Sequence, residues 1–119
     1  MKRILIIEDE EVLLESLGLL IQLNGYFPLL AQSGESGLKY LNEDEIDLVL
    51  CDINLQDMNG LEILKSTKSN GKLKSVPFLI LSALSDTDDI KAGYSHHADL
   101  YLTKPVSSQY LLDTIKQFI

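Results

Sequence analysis

The stretch Ile46-Asp47-Leu48-Val49-Leu50-Cys51-Asp52 decides how this chain is read, because an apolar run of strand length ends directly on an acid. A continuous apolar run is what a strand needs when both of its faces are covered. Three other apolar segments also end on polar chemistry: Lys2 to Ile7 on Glu8-Asp9-Glu10-Glu11, Phe78 to Leu81 on Ser82-Ala83, and Leu100 to Leu102 on Lys104-Pro105. Parallel strands deliver their ends to one edge of a sheet, so groups far apart in sequence can converge there. Three carboxylates, a hydroxyl and a lysine gathered in this way suggest a divalent-metal phosphoryl-transfer site.

Around these strands run segments with helical periodicity. Glu11 to Leu23 carries Val12, Leu13, Leu17, Leu20 and Ile21 at helical spacing, and Gly25 offers a left-handed terminator. Tyr26 to Ala31 reads as strand two; Pro28 lacks an N–H, which places it at a sheet edge. Ser33 can cap a second helix through Glu35, Leu38 and Leu41. A third helix follows Gly60, a loop covers Ser69 to Lys72, and a fourth helix starts near Asp86 to Asp89 and runs toward Tyr94. A fifth runs from Ser107 or Ser108 through Tyr110, Leu111, Leu112, Ile115 and Phe118. Strict βα alternation predicts a doubly wound, five-stranded parallel α/β sheet with five flanking helices. The chain ends with that fifth helix, so no attached output domain is expected on it.

Size and charge narrow the possibilities. A chain of 119 residues with 45% hydrophobic content builds one domain and excludes a disordered acidic protein. No apolar run has the length of a membrane helix. The single cysteine, Cys51, lies in an apolar run and reads as a core thiol, consistent with a reducing, cytoplasmic setting. Residues 1–60 carry three basic and twelve acidic side chains, whereas residues 61–119 carry seven and six. Acidity therefore concentrates where a cation would bind. A direct nucleic-acid contact is not expected, since phosphate recognition needs a basic footprint. The one basic stretch, Lys65, Lys68, Lys72 and Lys74, lacks interleaved aromatics and reads as a solvated helix end and loop.

Asp9 and Asp52 supply part of an oxygen shell for Mg²⁺, with Glu8 as a third carboxylate. The segment Asp52 to Gly60 superficially matches a calcium loop. That reading fails, because Asp57 stands where a glycine is needed and Ile63 where a glutamate is needed. Lys104 can pair with the carboxylates and then with a phosphoryl oxygen, and Ser82 can donate a hydrogen bond to such an oxygen.

At these residues a family resemblance is plain. Ile6-Ile7-Glu8-Asp9-Glu10, Leu50-Cys51-Asp52-Ile53, Asp57-Met58-Asn59-Gly60, Leu81-Ser82-Ala83 and Ala98 to Pro105, in that order, resemble the receiver (CheY-like) domain of two-component response regulators across residues 1–119. The resemblance implies a flavodoxin-like sheet of strand order 2-1-3-4-5. It implies that Asp52 accepts a phosphoryl group from a histidine kinase or histidine phosphotransfer protein and that the domain catalyses its own dephosphorylation. Glu8, Asp9, Asp52 and the backbone carbonyl of Asn54 would hold Mg²⁺. Ser82 and Lys104 would grip the phosphoryl oxygens, and Tyr101 would reposition when Ser82 moves. Asn54 and Leu84 would flank the path of hydrolytic water. A downstream protein or output domain would read the face formed by the fourth helix, strand five and fifth helix.

Some residues depart from the family pattern. Leu55-Gln56 replaces a frequent Met-Pro, so the loop after Asp52 is expected to be less rigid. His97 replaces a frequent glycine, which strains the turn if it needs positive φ. Leu100 and Thr114 stand where receivers of winged-helix regulators carry an acid and a base that pair across a dimer, so any dimer on that face should depart from their pattern. Two other function classes compete. A receiver-like interaction module that signals without phosphorylation would fit a chain lacking the acids or the acceptor, and neither is missing. A flavodoxin-type enzyme would need a phosphate-cradling glycine loop after strand one, where Glu8-Asp9-Glu10-Glu11 would repel phosphate.

Overall fold

The computed structural model describes residues 1–83, 91 and 97–119. Its five strands, β1 (Arg3–Ile7), β2 (Phe27–Ala31), β3 (Leu48–Asp52), β4 (Phe78–Ser82) and β5 (Leu100–Thr103), form one parallel sheet of order β2-β1-β3-β4-β5. Helices α1 (Glu11–Leu23), α2 (Gly34–Glu43), α3 (Gly60–Ser69) and a C-terminal helix (Ser108–Phe118) flank it. Among the described residues there are therefore four helices. The expected fourth of five, near Asp86 to Tyr94, falls almost wholly outside them.

The apolar runs serve both faces because successive strand side chains alternate. Leu5, Ile7, Val49, Cys51, Phe78 and Ile80 pack with Leu41, Ile63 and Leu64 of α2 and α3. Their neighbours Ile4, Ile6, Leu48, Leu50, Leu79 and Leu81 pack with Leu14, Leu17 and Ile21 of α1 and with Leu111 and Ile115 of the C-terminal helix. Pro28 sits on the edge strand, opposite Ile4 of β1. Ser33 caps α2 by accepting the Ser36 N–H, and Gly25 takes φ 91° after α1. The strand ends differ from the sequence reading by a single residue.

Two expectations need correction. Val12 is 70% exposed; α1 buries Leu14, Leu17, Gly18 and Ile21, because the helical period aims these at the sheet and turns Val12 away. Lys68 is not a solvated lysine. Its ammonium donates to the carbonyls of Val76 (2.9 Å) and Lys74 (3.3 Å) and to Asp99 Oδ2 (3.0 Å), while the same Asp99 oxygen accepts the Phe78 N–H at 2.7 Å. Lys68 thus ties the end of α3 to the start of β4 and β5. His97, just before β5, takes φ 71°, the strained conformation that a glycine would have relieved.

The Lys68 tie gives a stability prediction. Lys68→Ala takes the donor from the part-buried Val76 carbonyl, from the exposed Lys74 carbonyl and from Asp99, which keeps the Phe78 N–H, and should cost about 1–3 kcal/mol in urea unfolding. Lys65→Ala, on an exposed position of the same helix, should change stability by less than about 0.5 kcal/mol.

Candidate functional site

The register of the sheet assembles the site. Ile7 pairs with Cys51 and Cys51 with Ile80, so Glu8, Asp52 and Ser82 leave adjacent strands at nearly the same level. Ser82 pairs with Thr103, which puts Lys104 one step beyond. Backbone bonds carry the ladder past the strand ends: Ile53 N–H donates to the Leu81 carbonyl at 3.1 Å, and Lys104 N–H to the Ser82 carbonyl at 2.7 Å.

Glu8 is fully buried and Asp52 is 6% exposed. The Lys104 ammonium bridges them, 2.7 Å from Glu8 Oε1 and 3.1 Å from Asp52 Oδ2. Glu8 Oε2 also accepts the Glu10 N–H at 3.1 Å, and Asp52 Oδ1 accepts the Asn54 N–H at 3.3 Å. Burial pushes the Glu8 carboxyl above its ordinary value; the bonds from Lys104 and Glu10 oppose that, and the Asp52 charge adds to it. Burial would lower the Lys104 ammonium, but its bond to Glu8 and the Asp52 carboxylate outweigh this and hold it above its usual value. The Cys51 thiol, fully buried, is pushed well up, as an inert core group should be.

Glu8, Asp9 and Asp52 each place a carboxylate oxygen so that all three lie within 4.8 Å of one another. Three carboxylates against one ammonium leave two uncompensated negative charges when all are ionised. An all-oxygen donor set with that charge deficit fits a hard divalent cation such as Mg²⁺. Asn54 lies at the rim of this cluster and is exposed. Ser82 is fully buried, and its hydroxyl donates to the Ala83 carbonyl at 3.2 Å. Tyr101 is half-buried on β5 and packs against the core on the α2 and α3 side. Leu84 lies outside the described residues.

Two features of the loop between Asp52 and α3 were not foreseen from the sequence. Gln56, standing where the resembled family often has proline, supplies an N–H that proline lacks, and Asp9 Oδ2 accepts it at 3.0 Å. Asp57 accepts the N–H groups of Gly34 and Glu35, each at 2.9 Å. Gly60 closes the loop by donating to the Ile53 carbonyl at 2.7 Å. A side chain there would collide with the Asp52 carbonyl oxygen, which is why the helix opens on glycine.

The chain matches the response regulator receiver domain family over residues 4–116. It is 34% identical over 115 residues to the phosphate regulon transcriptional regulatory protein PhoB of Klebsiella pneumoniae, covering 97% of this chain and 50% of that protein. It is 30% identical over 118 residues to the polar-differentiation response regulator DivK of Brucella ovis, covering 99% and 96%. Among solved structures it resembles response regulator protein TrrA of Thermotoga maritima, in complex with Mg²⁺-BeF, with a TM-score of 0.88, 30% identity and full coverage of both chains. The chain spans about half the length of the first curated relatives it matches.

The charge balance at the site generates a measurable expectation. Lys104→Met removes the ammonium that pairs with buried Glu8 and should lower metal-free stability by about 1–3 kcal/mol. Added Mg²⁺ should then stabilise the variant by a larger increment than the unmodified protein, because the cation meets a more negative site. Urea unfolding with and without Mg²⁺ reads both quantities.

Proposed function

This chain belongs to the response regulator receiver family, and from that premise we propose that it is a phosphorylation-activated signalling switch with Asp52 as its phosphoacceptor. The observation that carries the reading is the Lys104 ammonium held between Glu8 and Asp52 inside a triad of acids at the strand ends. Residues 1–119 act as one receiver domain. Its donor is a histidine kinase or histidine phosphotransfer protein, and small acyl phosphates can replace it.

An Asp52 carboxylate oxygen attacks the donor's phosphorus, so the donor's bond to phosphorus breaks as the new oxygen–phosphorus bond forms. Such a transfer needs positioning and charge neutralisation more than covalent help. Glu8, Asp9, Asp52 and the Asn54 carbonyl would hold a divalent cation, which would neutralise charge on the phosphoryl oxygens. Lys104 is set to exchange a carboxylate for a phosphoryl oxygen, and Ser82 to turn its hydroxyl toward another. Phosphorylation adds roughly one negative charge at Asp52, enough to draw both side chains inward. Tyr101, on the strand that pairs with β4, then follows Ser82 and reports the change outward. Hydrolysis reverses the cycle: water attacks the phosphorus, the Asp52 carboxylate leaves and inorganic phosphate departs.

A downstream protein or output domain reads the face that includes β5 and the C-terminal helix. Its charges are not those of a winged-helix regulator. Thr114 is only 3% exposed and donates to the Tyr110 carbonyl at 2.7 Å, Leu100 packs into the core, and Asp99 is engaged by Lys68. A cytoplasmic setting is part of the proposal. Among the described residues, no helix is long and apolar enough to cross a membrane.

Incubation with acetyl phosphate and Mg²⁺ should add one phosphoryl mass to the intact chain. Asp52→Asn or removal of the metal by EDTA should abolish the gain, and a gain that survives Asp52→Asn would refute the assignment. By the family resemblance Leu84, two residues after Ser82 in the chain, is expected to slow hydrolysis. Leu84→Glu is expected to shorten the phosphoryl lifetime, measured by decay of that mass after the donor is removed.

A further inference from the structure

We propose that Asp57 is a positioning residue that clasps the loop after Asp52 to the first turn of α2, and so fixes the loop for metal and phosphoryl binding. The proposal rests on the function proposed above for the same site. The loop spanning residues 53–59 is closed at its base by the Gly60 N–H on the Ile53 carbonyl and by the Asn54–Asn59 bridge. Among the described residues its tip has no such backbone closure. Gln56 is tied to Asp9, and the next residue, Asp57, spends both carboxylate oxygens on α2: Oδ1 accepts the Gly34 N–H and Oδ2 the Glu35 N–H.

These bonds do more than finish a helix. Ser33 already caps α2 locally by accepting the Ser36 N–H, and Ser36 returns a hydroxyl to Ser33. The Gly34 and Glu35 N–H groups point elsewhere, and a carboxylate more than twenty residues away takes both. An anion at a helix N-terminus is well placed electrostatically. The Gly34 bond, then the Glu35 bond, holds the Asp57 carboxyl below its ordinary value, so it stays charged. With both oxygens engaged, Asp57 stands outside the triad of Glu8, Asp9 and Asp52. The clasp is closed sterically as well: Met58 lies so near Gly34 that a side chain there would collide with it.

Asp9 and α2 therefore hold consecutive residues of one loop. A shift of Asp9 on metal binding moves Gln56 and is resisted at Asp57. Without the clasp the loop samples open forms, and apparent metal affinity falls with the fraction of closed loop.

The test compares the unmodified chain with Asp57→Ala, Asp57→Asn and Gly34→Ala by amide hydrogen exchange, Mg²⁺ titration calorimetry and phosphoryl uptake from acetyl phosphate. Asp57→Ala should speed exchange of the Gln56 and Gly60 amides and weaken Mg²⁺ binding by about threefold or more. Its phosphorylation should slow at low Mg²⁺ and recover at saturating Mg²⁺. Asp57→Asn, which keeps one acceptor oxygen, should fall between. Gly34→Ala, which crowds Met58 while keeping the Asp57 carboxylate and the N–H that it accepts, should shift the same readouts in the same direction. If Asp57→Ala lowers only the melting temperature or the protection of α2, leaving loop exchange and Mg²⁺ affinity unchanged, Asp57 is a helix cap alone and the proposal is overturned. If the unmodified chain takes up no phosphoryl group, the functional reading fails, and loop exchange and Mg²⁺ affinity still decide the clasp.

Discussion

The ammonium of Lys104 sits where three strands end, 2.7 Å from a glutamate that follows β1 and 3.1 Å from an aspartate that closes β3. Everything else at the site depends on this placement. Fully buried Glu8 would be costly as a lone anion, and Asp52 beside it would make matters worse. One cation of the chain's own makes the arrangement tolerable without making it neutral. The remaining negative charge is what a divalent cation would offset.

That placement is produced by the sheet. Both faces of β3 and β4 are covered, so their side chains leave no polar chemistry within the layer, and only the ends can carry it. The parallel register sets those ends level. The loop that follows Asp52 then becomes the variable part of the device. It is closed at its base by Gly60 and held at its tip by Asp9 and by α2. Replacing the frequent proline with Gln56 changes how the loop is held, since it exchanges a ring constraint for a hydrogen bond to an acid of the cluster.

The architecture was legible in the sequence because burial on both faces writes a continuous apolar run, and the polar residue that ends each run marks the edge where strands meet. Pro28 and Ser33 announced an edge strand and a cap through local chemistry alone. The candidate site was legible for the same reason, since Asp52 and Ser82 close their strands and Glu8 and Lys104 directly follow theirs. What stayed hidden was pairing across distance. Lys68 looked like one of several solvated lysines, because nothing in its neighbourhood reveals the carbonyls of the loop or Asp99 31 residues away. Asp57 looked like a motif residue, and its partners at Gly34 and Glu35 belong to a helix whose own cap is already complete. Val12 was misplaced because a helix rich in aliphatic residues fits more than one apolar stripe, and only packing against the sheet selects Leu14, Leu17 and Ile21.

The most direct test of the central claim is a crystal structure of this chain grown with Mg²⁺ and beryllofluoride, a stable stand-in for the phosphoryl group. The account predicts the cation among Glu8, Asp9 and Asp52, the beryllofluoride on an Asp52 oxygen, and the Lys104 ammonium moved from Glu8 onto a fluorine. Beryllofluoride on Asp52 with Lys104 still bridging Glu8 and Asp52, or no cation within the acid triad, would contradict it.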